Sequence, residues 1–239
     1  MLEAIIFDNW NTLVQAPGLM RSGASVQIFH RSLTENGFNV DCDRFTEIYR
    51  PIAREQVSEA EKNGWTEIDY LKRLLMVMER LGVKEPRQSR LAVKAWDDYL
   101  AEWLRQTSFY SETPSMLESL KGRFRLGVLT NFMDGPTARE VFDNLGYEEF
   151  FDSLVVSAEV GYMKPSPVIY RRSLEELGVK PEACIMVGDT YSTDIKGAHS
   201  IGMCGVLIDW DWSQSEYHAQ CDNVIRTIGD FPKLLKNLV

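Results

Sequence analysis

Apolar residues are spaced in two different ways along the chain, and the two spacings predict two kinds of structure. Residues 2–7 form a short apolar run with β-branched side chains, which is typical of one buried strand. From about residue 22 to residue 106, apolar residues recur at the spacing of a helix. After Thr113, short apolar runs alternate with helical stretches. The pattern therefore predicts an α/β domain that is interrupted by an all-helical segment.

The helical segment is expected to contain four amphipathic helices. They are marked by the stripe of Val26, Phe29 and Leu33, by residues 43–62, by the stripe of Ile68, Leu71, Leu75, Met78 and Leu81, and by residues 88–105. Thr66 is the expected N-cap of the third helix and Gly82 its stop. Pro51 is expected to interrupt or bend the second. Four such helices with short connections predict a small bundle.

The second half of the chain predicts a parallel sheet. Its expected strands are residues 124–130, 154–157, 183–187, 205–208 and 223–226, and its expected helices are residues 114–121, 136–145, 166–177, 192–201 and the segment from 230. Strands that alternate with helices favour a parallel sheet with helices on its faces. The first strand must join this sheet, because it would bury nothing alone. We therefore assign residues 1–15 and 108–239 to the core domain and residues 16–107 to an inserted helical cap.

A carboxylate closes the first strand. Asp8 follows the apolar run directly and is itself followed by the turn-forming residues Asn9 and Asn11. Open α/β sheets bind their ligands at the carboxyl ends of their strands. Asp8 is therefore a candidate functional residue, although a carboxylate in this position can also simply cap a turn.

Two further stretches carry groups that suit an anion. Thr130 and Asn131 end a buried strand, where a hydroxyl and backbone N–H groups can bind anionic oxygens. Lys164 stands immediately before a helix start, where an anion is also favoured. Taken singly, a Thr-Asn pair is a common strand exit and a lysine is usually a solvated surface charge. The prediction that these residues bind an anion therefore depends on considering all the polar stretches of the chain together.

The last stretch with candidate chemistry holds two carboxylates. Gly188 and Asp189 end a buried strand, and Asp194 follows on the next predicted helix. Two carboxylates near one strand end are costly unless a cation lies between them. The sequence therefore indicates a metal site. The alternative is that Asp189 is only an N-cap and Asp194 only a surface residue.

Composition narrows the function classes. Apolar residues make up 44% of the chain and charged residues 26%, which is ordinary for a globular enzyme. A net charge of −9 disfavours nucleic acid or an anionic membrane as a partner. No apolar run approaches the roughly 20 residues that span a bilayer, and the N-terminus shows no export signal. We expect a cytoplasmic protein that acts on a small molecule.

The cysteines agree with a reducing compartment. They form no CxxC pair and no metal spacing. Cys184 and Cys204 lie in apolar, strand-like runs and are expected to be inert thiols in the core.

The polar stretches together resemble a known family. FDNWNTL, LTN, MKPSP and VGDTYSTDIKGA, in this order and spacing, resemble the four motifs of the haloacid dehalogenase (HAD) superfamily. The inserted helical segment is similar to the C1-type cap of that superfamily. The resemblance covers the whole chain and implies a Rossmann-like α/β core. It also implies that Asp8 attacks phosphorus and forms an aspartyl-phosphate, which water then hydrolyses.

The same resemblance implies roles for the remaining motif residues. Mg²⁺ would be held by Asp8, the backbone carbonyl of Trp10 and Asp189, with Asp194 assisting; Thr130, the backbone of Asn131 and Lys164 would bind the phosphoryl group. The physical logic agrees, because a carboxylate can approach an anionic phosphate only if positive charge offsets the repulsion. The expected function is a Mg²⁺-dependent phosphatase of a small phosphorylated metabolite.

The chain departs from the phosphatase pattern at Trp10. Phosphatases of this superfamily usually have there a second aspartate, which protonates the leaving group, and an indole N–H cannot deliver a proton at neutral pH. With an aromatic residue in this position, the first motif also resembles that of the 2-haloacid dehalogenases, although their fourth motif usually lacks the Gly-Asp pair. Phosphonate hydrolases lack the second aspartate too but use a Schiff-base lysine of the cap. The sequence identifies no such lysine here, although the cap contains Lys62 and Lys72. A weakly active or regulatory protein is the remaining alternative, and the substrate and oligomeric state are left open.

Overall fold

The fold is described from a computed structural model that covers residues 1–21, 23–211 and 213–238. The chain divides into two compact units, one of Met1–Gln15 with Ser108–Val239 and one of Ala16–Thr107. We refer to them as the core unit and the helical unit. None of the described helices combines the length and the apolar character needed to cross a membrane.

Strands and helices follow the predicted alternation. The strands are β1 (Ala4–Phe7), β2 (Val14–Gln15), β3 (Ser108–Phe109), β4 (Arg125–Thr130), β5 (Ser153–Val156), β6 (Cys184–Gly188), β7 (Cys204–Ile208) and β8 (Asn223–Ile225). The helices are α1 (Ala24–Glu35), α2 (Cys42–Lys62), α3 (Tyr70–Arg80), α4 (Arg87–Gln106), α5 (Thr113–Leu120), α6 (Gly135–Asn144), α7 (Ser157–Val160), α8 (Pro167–Leu177), α9 (Lys196–His199) and α10 (Phe231–Leu235). A π-helical turn at Tyr191–Ile195 separates β6 from α9.

The core unit is built on a parallel sheet. Among the described residues, six strands pair in the order β5-β4-β1-β6-β7-β8, and every pair is parallel. The first strand therefore joins the sheet at its centre, as predicted, between β4 and β6. Its four residues are fully buried, which explains why the run is apolar without alternation. The predicted α/β, Rossmann-like fold class is confirmed.

Helix α8 packs against the sheet and forms part of the hydrophobic core. Its apolar positions Ile169, Tyr170, Leu174 and Leu177 join one buried cluster with strand residues such as Met186. The helix begins at Pro167, a residue whose fixed φ suits a first turn. The sheet and its helices thus hold the ends of β1, β4 and β6 in fixed positions.

A short ribbon was not predicted. Strands β2 and β3 pair antiparallel, Val14 with Phe109 and Gln15 with Ser108. Each strand has two residues, which is too short for a hydrophobic period to show in the sequence.

The helical unit has the four predicted helices, with different details. The N-cap of α3 is Asp69, whose carboxylate accepts a hydrogen bond from Lys72 N at 2.8 Å, so the assignment to Thr66 is wrong. The helix consequently starts later and buries Leu74, Val77 and Met78, while Leu71, Leu75 and Leu81 of the predicted stripe are half-buried. The face that packs is therefore rotated relative to the prediction.

Pro51 does not interrupt α2, so that part of the prediction is wrong, while a bend at this residue stays a prediction. Helix α2 continues through this residue from Cys42 to Lys62. Proline removes one hydrogen bond from the ladder, but Ile48 and Ile52 are buried on the same stretch and their packing holds the helix together.

Two expectations for the core unit need correction. Residues 192–201 do not form one α-helix, because the π-helical turn takes residues 191–195 and α9 starts only at Lys196. Cys204 is exposed rather than in the core, since it is the first residue of β7 and lies where the strand enters the sheet. Cys184 is buried as expected, and burial raises the pKa of its thiol to about 12.

Candidate active site

The polar motifs lie at the carboxyl ends of adjacent strands. The last residue of β1, Phe7, pairs with Val128 of β4 and with Val187 of β6. The parallel register continues one residue further, because Asp8 N donates to Val187 O at 2.8 Å. Residues that follow these three strands are therefore brought to one edge of the sheet.

Three carboxylates form a cluster at this edge. Asp8, Asp189 and Asp194 each offer an oxygen within 4.8 Å of those of the other two. Asp8 is 8% exposed and Asp194 only 1%, whereas Asp189 is half-buried. Asp194 reaches the cluster from the π-helical turn, where its carboxylate also accepts a hydrogen bond from Thr190 N at 2.9 Å. Gly188 permits this approach, since a side chain there would overlap the Asp194 carboxylate.

Lys164 joins two of these carboxylates. Its Nζ lies 2.6 Å from Asp8 Oδ1 and 2.6 Å from Asp194 Oδ1, and the residue is 3% exposed. This lysine therefore points inward rather than into solvent. The position depends on Asn131, whose side-chain amide accepts from Lys164 N at 2.7 Å and donates to Lys164 O at 3.0 Å.

The electrostatics of the cluster favour a cation. Burial raises the pKa of Asp8 to about 6, although Lys164 opposes the shift. Burial, Asp8 and Asp194 together raise the pKa of Asp189 well above its usual range. Burial alone would lower the pKa of Lys164, but its two carboxylate partners outweigh burial and raise it. One ammonium group cannot balance three carboxylates, and an all-oxygen set of this kind fits a hard divalent cation such as Mg²⁺.

The turn after β1 is tightly folded. The backbone carbonyl of Asn9 accepts hydrogen bonds from the N–H groups of Thr12, Leu13 and Val14, and Asn11 adopts a φ of +63°. Asparagine tolerates this left-handed conformation better than most residues. The turn fixes the backbone on both sides of Trp10.

The Trp10 side chain is part of a buried aromatic stack. Its ring lies parallel to Phe132, with centroids 4.3 Å apart and an interplanar angle of 14°. Phe132 N in turn donates to Ser157 Oγ at 3.0 Å. The position where the resemblance described above would place an acid is thus filled by an aromatic side chain packed against the loop after β4.

The structure brings together most of the residues singled out in the sequence. Asp8, Lys164, Asp189 and Asp194 meet directly, and Asn131 contacts the lysine backbone. Thr130 is buried as the last residue of β4, next to β1 in the sheet. The roles assigned to these residues in binding metal and phosphoryl groups remain predictions.

Sequence reasoning missed several supporting residues. Tyr147 is fully buried and donates its hydroxyl to Asn9 Oδ1, and Tyr170 donates to Thr193 O. Gln214 and Trp210 contact the turns after β6 and β1. Trp210 lies beside the site, whereas Trp212 lies outside the described residues. These residues belong to no motif, so only their contacts reveal them.

The fold and the polar edge of the sheet define the class of protein. The family description "haloacid dehalogenase-like hydrolase" matches residues 2–202. The chain therefore belongs to the haloacid dehalogenase-like hydrolase family, and the predicted family resemblance is confirmed. The C1 type of the inserted cap stays a prediction.

Two relatives and one solved structure show how far the likeness extends. The chain is 32% identical to the glyceraldehyde 3-phosphate phosphatase of Methanopyrus kandleri, over 87% of this chain and 84% of that protein. It is 28% identical to the N-acylneuraminate-9-phosphatase of Rattus norvegicus, over 84% of this chain and 80% of that protein. A 2-haloacid dehalogenase from Pseudomonas syringae pv. Tomato superposes over 100% of both chains with a TM-score of 0.72 at 22% identity, which shows the shared fold.

Proposed function

We propose that this protein is a Mg²⁺-dependent phosphatase of a small phosphorylated metabolite, with Asp8 as the nucleophile. The observation that carries the proposal is the buried cluster of Asp8, Asp189 and Asp194 with Lys164 between two of its carboxylates. The two relatives compared above are both named as phosphatases.

The chemistry of the donors supports a metal site. Asp8, Asp189 and the backbone carbonyl of Trp10 would hold Mg²⁺, with Asp194 assisting. A bound Mg²⁺ would supply positive charge that offsets the repulsion between the nucleophile and the phosphate. Asp194 suits an assisting role because its oxygens are already engaged by Lys164 Nζ and Thr190 N.

Residues of the chain itself carry out the attack on phosphorus and bind the phosphoryl group. A carboxylate oxygen of Asp8 attacks phosphorus and forms a P–O bond, while the ester bond breaks and the leaving oxygen keeps its electron pair and takes a proton from solvent water. Lys164, the Thr130 hydroxyl and the Asn131 backbone N–H bind the phosphoryl oxygens, where negative charge develops. Water then attacks the phosphorus of the aspartyl-phosphate, which releases phosphate and restores the Asp8 carboxylate.

Trp10 sets the substrates that should react well. Its indole packs against Phe132 and supplies no proton to a leaving group. We expect Mg²⁺-dependent release of phosphate from p-nitrophenyl phosphate, which needs little protonation, and no release when a chelator is added. A simple alkyl phosphate should react more slowly, by roughly 10²–10⁴-fold, which is the usual contribution of general acid catalysis. Trp10→Asp should selectively raise release from the alkyl phosphate.

Two comparisons make this assay decisive. Trp10→Phe keeps an aromatic ring beside Phe132 but adds no acid, so it should not give the gain seen with Trp10→Asp. No phosphate from either substrate would contradict the proposal. Halide release from several 2-haloacids in the presence of a chelator would then establish the dehalogenase alternative, and failure there too would favour a regulatory protein.

The metal proposal can be tested without turnover. Mg²⁺ should raise the melting temperature of the wild type, because a ligand that binds only the folded state stabilises it. Asp189→Asn should lose most of this shift, since it removes one charged oxygen ligand from the cluster. Asp143→Asn, an exposed carboxylate on α6, is the matched control and should keep the full shift. A wild type that Mg²⁺ leaves unshifted would contradict the metal site.

We also propose that residues 16–107 form a C1-type cap inserted into the chain of the core unit. This segment forms a compact unit, and the chain enters and leaves it at the boundaries 15/16 and 107/108. It has its own core, which includes Phe29, Phe45 and Leu74.

A further inference from the structure

The segment that follows β7 contacts both turns that carry the site carboxylates. It comprises residues 209–211, 213 and 214 of the described chain, and we call it the β7 exit segment. Two of its side chains, Gln214 and Trp210, form hydrogen bonds to backbone groups of these turns. Neither residue belongs to any of the four motifs.

Gln214 bonds to the backbone on both sides of Thr190. Its Nε2 donates to Asp189 O at 2.6 Å, and its Oε1 accepts from Tyr191 N at 2.9 Å. Both ends of one amide are thus used where β6 passes into the π-helical turn. π-Helical turns are uncommon and often occur at functional sites. The Gln214 side chain therefore fixes the backbone between Asp189 and the turn that supplies Asp194.

Trp210 bonds to the turn after β1. Its Nε1 donates to Asn11 O at 2.7 Å, and its ring lies against Tyr110 with centroids 4.6 Å apart. Asn11 has the left-handed φ of +63°, and a hydrogen bond to its carbonyl helps to hold that conformation. The bond fixes the backbone next to Trp10, whose carbonyl is a proposed metal ligand.

The β7 exit segment is itself anchored. Asp209 is 1% exposed, and its N donates to Ile225 O of β8 at 3.0 Å. Its carboxylate accepts from His218 Nε2 at 2.8 Å and from Gln214 N at 3.2 Å. Gln214 and Trp210 therefore extend from a segment that is tied to the edge of the sheet.

We infer that Gln214 and Trp210 are positioning residues that set the spacing between the Asp8 turn and the Asp189 turn for metal binding. This inference rests on the proposed function, since it concerns the same metal site. Hydrogen bonds that orient ligands typically change metal affinity by about 10–100-fold when they are removed.

The main test uses Gln214→Met, which keeps the length of the side chain and removes both hydrogen bonds. Mg²⁺ binding, measured by calorimetry on the full chain, should weaken by about 10–100-fold. Amide hydrogen exchange at Tyr191 should become faster in metal-free protein, because this N–H loses its acceptor. The rate of phosphate release at saturating Mg²⁺ should recover toward that of the wild type.

Gln220→Met is the matched control. Gln220 contacts the same tyrosine, but it accepts from the Tyr191 hydroxyl at 2.8 Å and is exposed. Its replacement should leave Mg²⁺ affinity unchanged. Trp210→Phe keeps a ring beside Tyr110 but removes the N–H donor, and it should weaken Mg²⁺ binding.

Clear outcomes would overturn the inference. It fails if Gln214→Met binds Mg²⁺ as the wild type does, or if Gln220→Met weakens binding to the same extent. A lower melting temperature of metal-free Gln214→Met with unchanged Mg²⁺ affinity would show a merely structural role. Since affinity is measured without turnover, a wild type that binds Mg²⁺ but releases no phosphate contradicts the proposed function, and the comparison of Gln214 with Gln220 still decides the positioning role.

Discussion

Asp8→Asn is expected to lower phosphate release by about 10⁴-fold or more, the size of effect seen when a nucleophile is removed. Asparagine has nearly the same shape as aspartate but is a poor nucleophile. Lys164 keeps its contact with Asp194 at 2.6 Å, so the fold around the site should remain. The measurement is phosphate release from p-nitrophenyl phosphate at saturating Mg²⁺, together with the melting temperature in a chelator.

A control variant and the mass of the protein during turnover test whether the loss of activity is due to Asp8 itself. Asp143→Asn makes the same chemical change on an exposed position and should keep wild-type activity. Wild type quenched during turnover should carry phosphate on Asp8, detectable by mass spectrometry, whereas Asp8→Asn should carry none. Activity of Asp8→Asn close to that of the wild type would rule out Asp8 as the nucleophile.

Lys164→Met is expected to affect both stability and activity. The lysine is buried and bonds two carboxylates, so its loss leaves negative charge uncompensated in the interior. Removing one partner of a buried ion pair typically costs about 3–5 kcal/mol in the free energy of unfolding. Mg²⁺ should restore part of this loss, because it supplies positive charge to the same carboxylates. Phosphate release should fall by about 10²–10³-fold, as when one donor to developing charge is removed.

Urea denaturation in chelator and in Mg²⁺ measures the stability part of this prediction. Lys180→Met, at an exposed position, is the matched control and should change neither the unfolding free energy nor the rate. If Lys164→Met unfolds at the wild-type urea concentration in chelator, the ion pairs contribute nothing to stability. If it also keeps the wild-type rate, Lys164 has no role in binding the phosphoryl group.

The fold of the core unit was accessible from the sequence because its signals are local. The run at β1 is fully buried and therefore uniformly apolar, and the later strands repeat this pattern at short distances along the chain. Glycine and proline mark boundaries in the helical unit as well; Gly82, for example, has a φ of +77° just after α3. Such signals need no knowledge of what packs against them.

The predictions that were wrong concern details that depend on neighbours distant in sequence or on competing local groups. Asp69 rather than Thr66 caps α3, although both residue types can accept the capping bond. Helix α2 runs through Pro51 because the surrounding apolar side chains are buried. Cys204 is exposed because of its place at the start of β7, which the apolar run around it does not reveal.

The sequence by itself determined the family and the residues that carry the candidate chemistry, because these residues lie in short motifs. It also determined the alternation of strands and helices, because that alternation shows as a local hydrophobic pattern. Only the tertiary structure decided that Lys164 bonds Asp8 and Asp194, that Asn131 holds the lysine backbone, and that Trp10 stacks on Phe132. It also revealed Gln214 and Trp210, which follow β7 in sequence but contact the turns after β6 and β1. The physical reason is that parallel strands from distant parts of the chain end at one edge of the sheet, and contacts made across that edge leave no periodic pattern in the sequence.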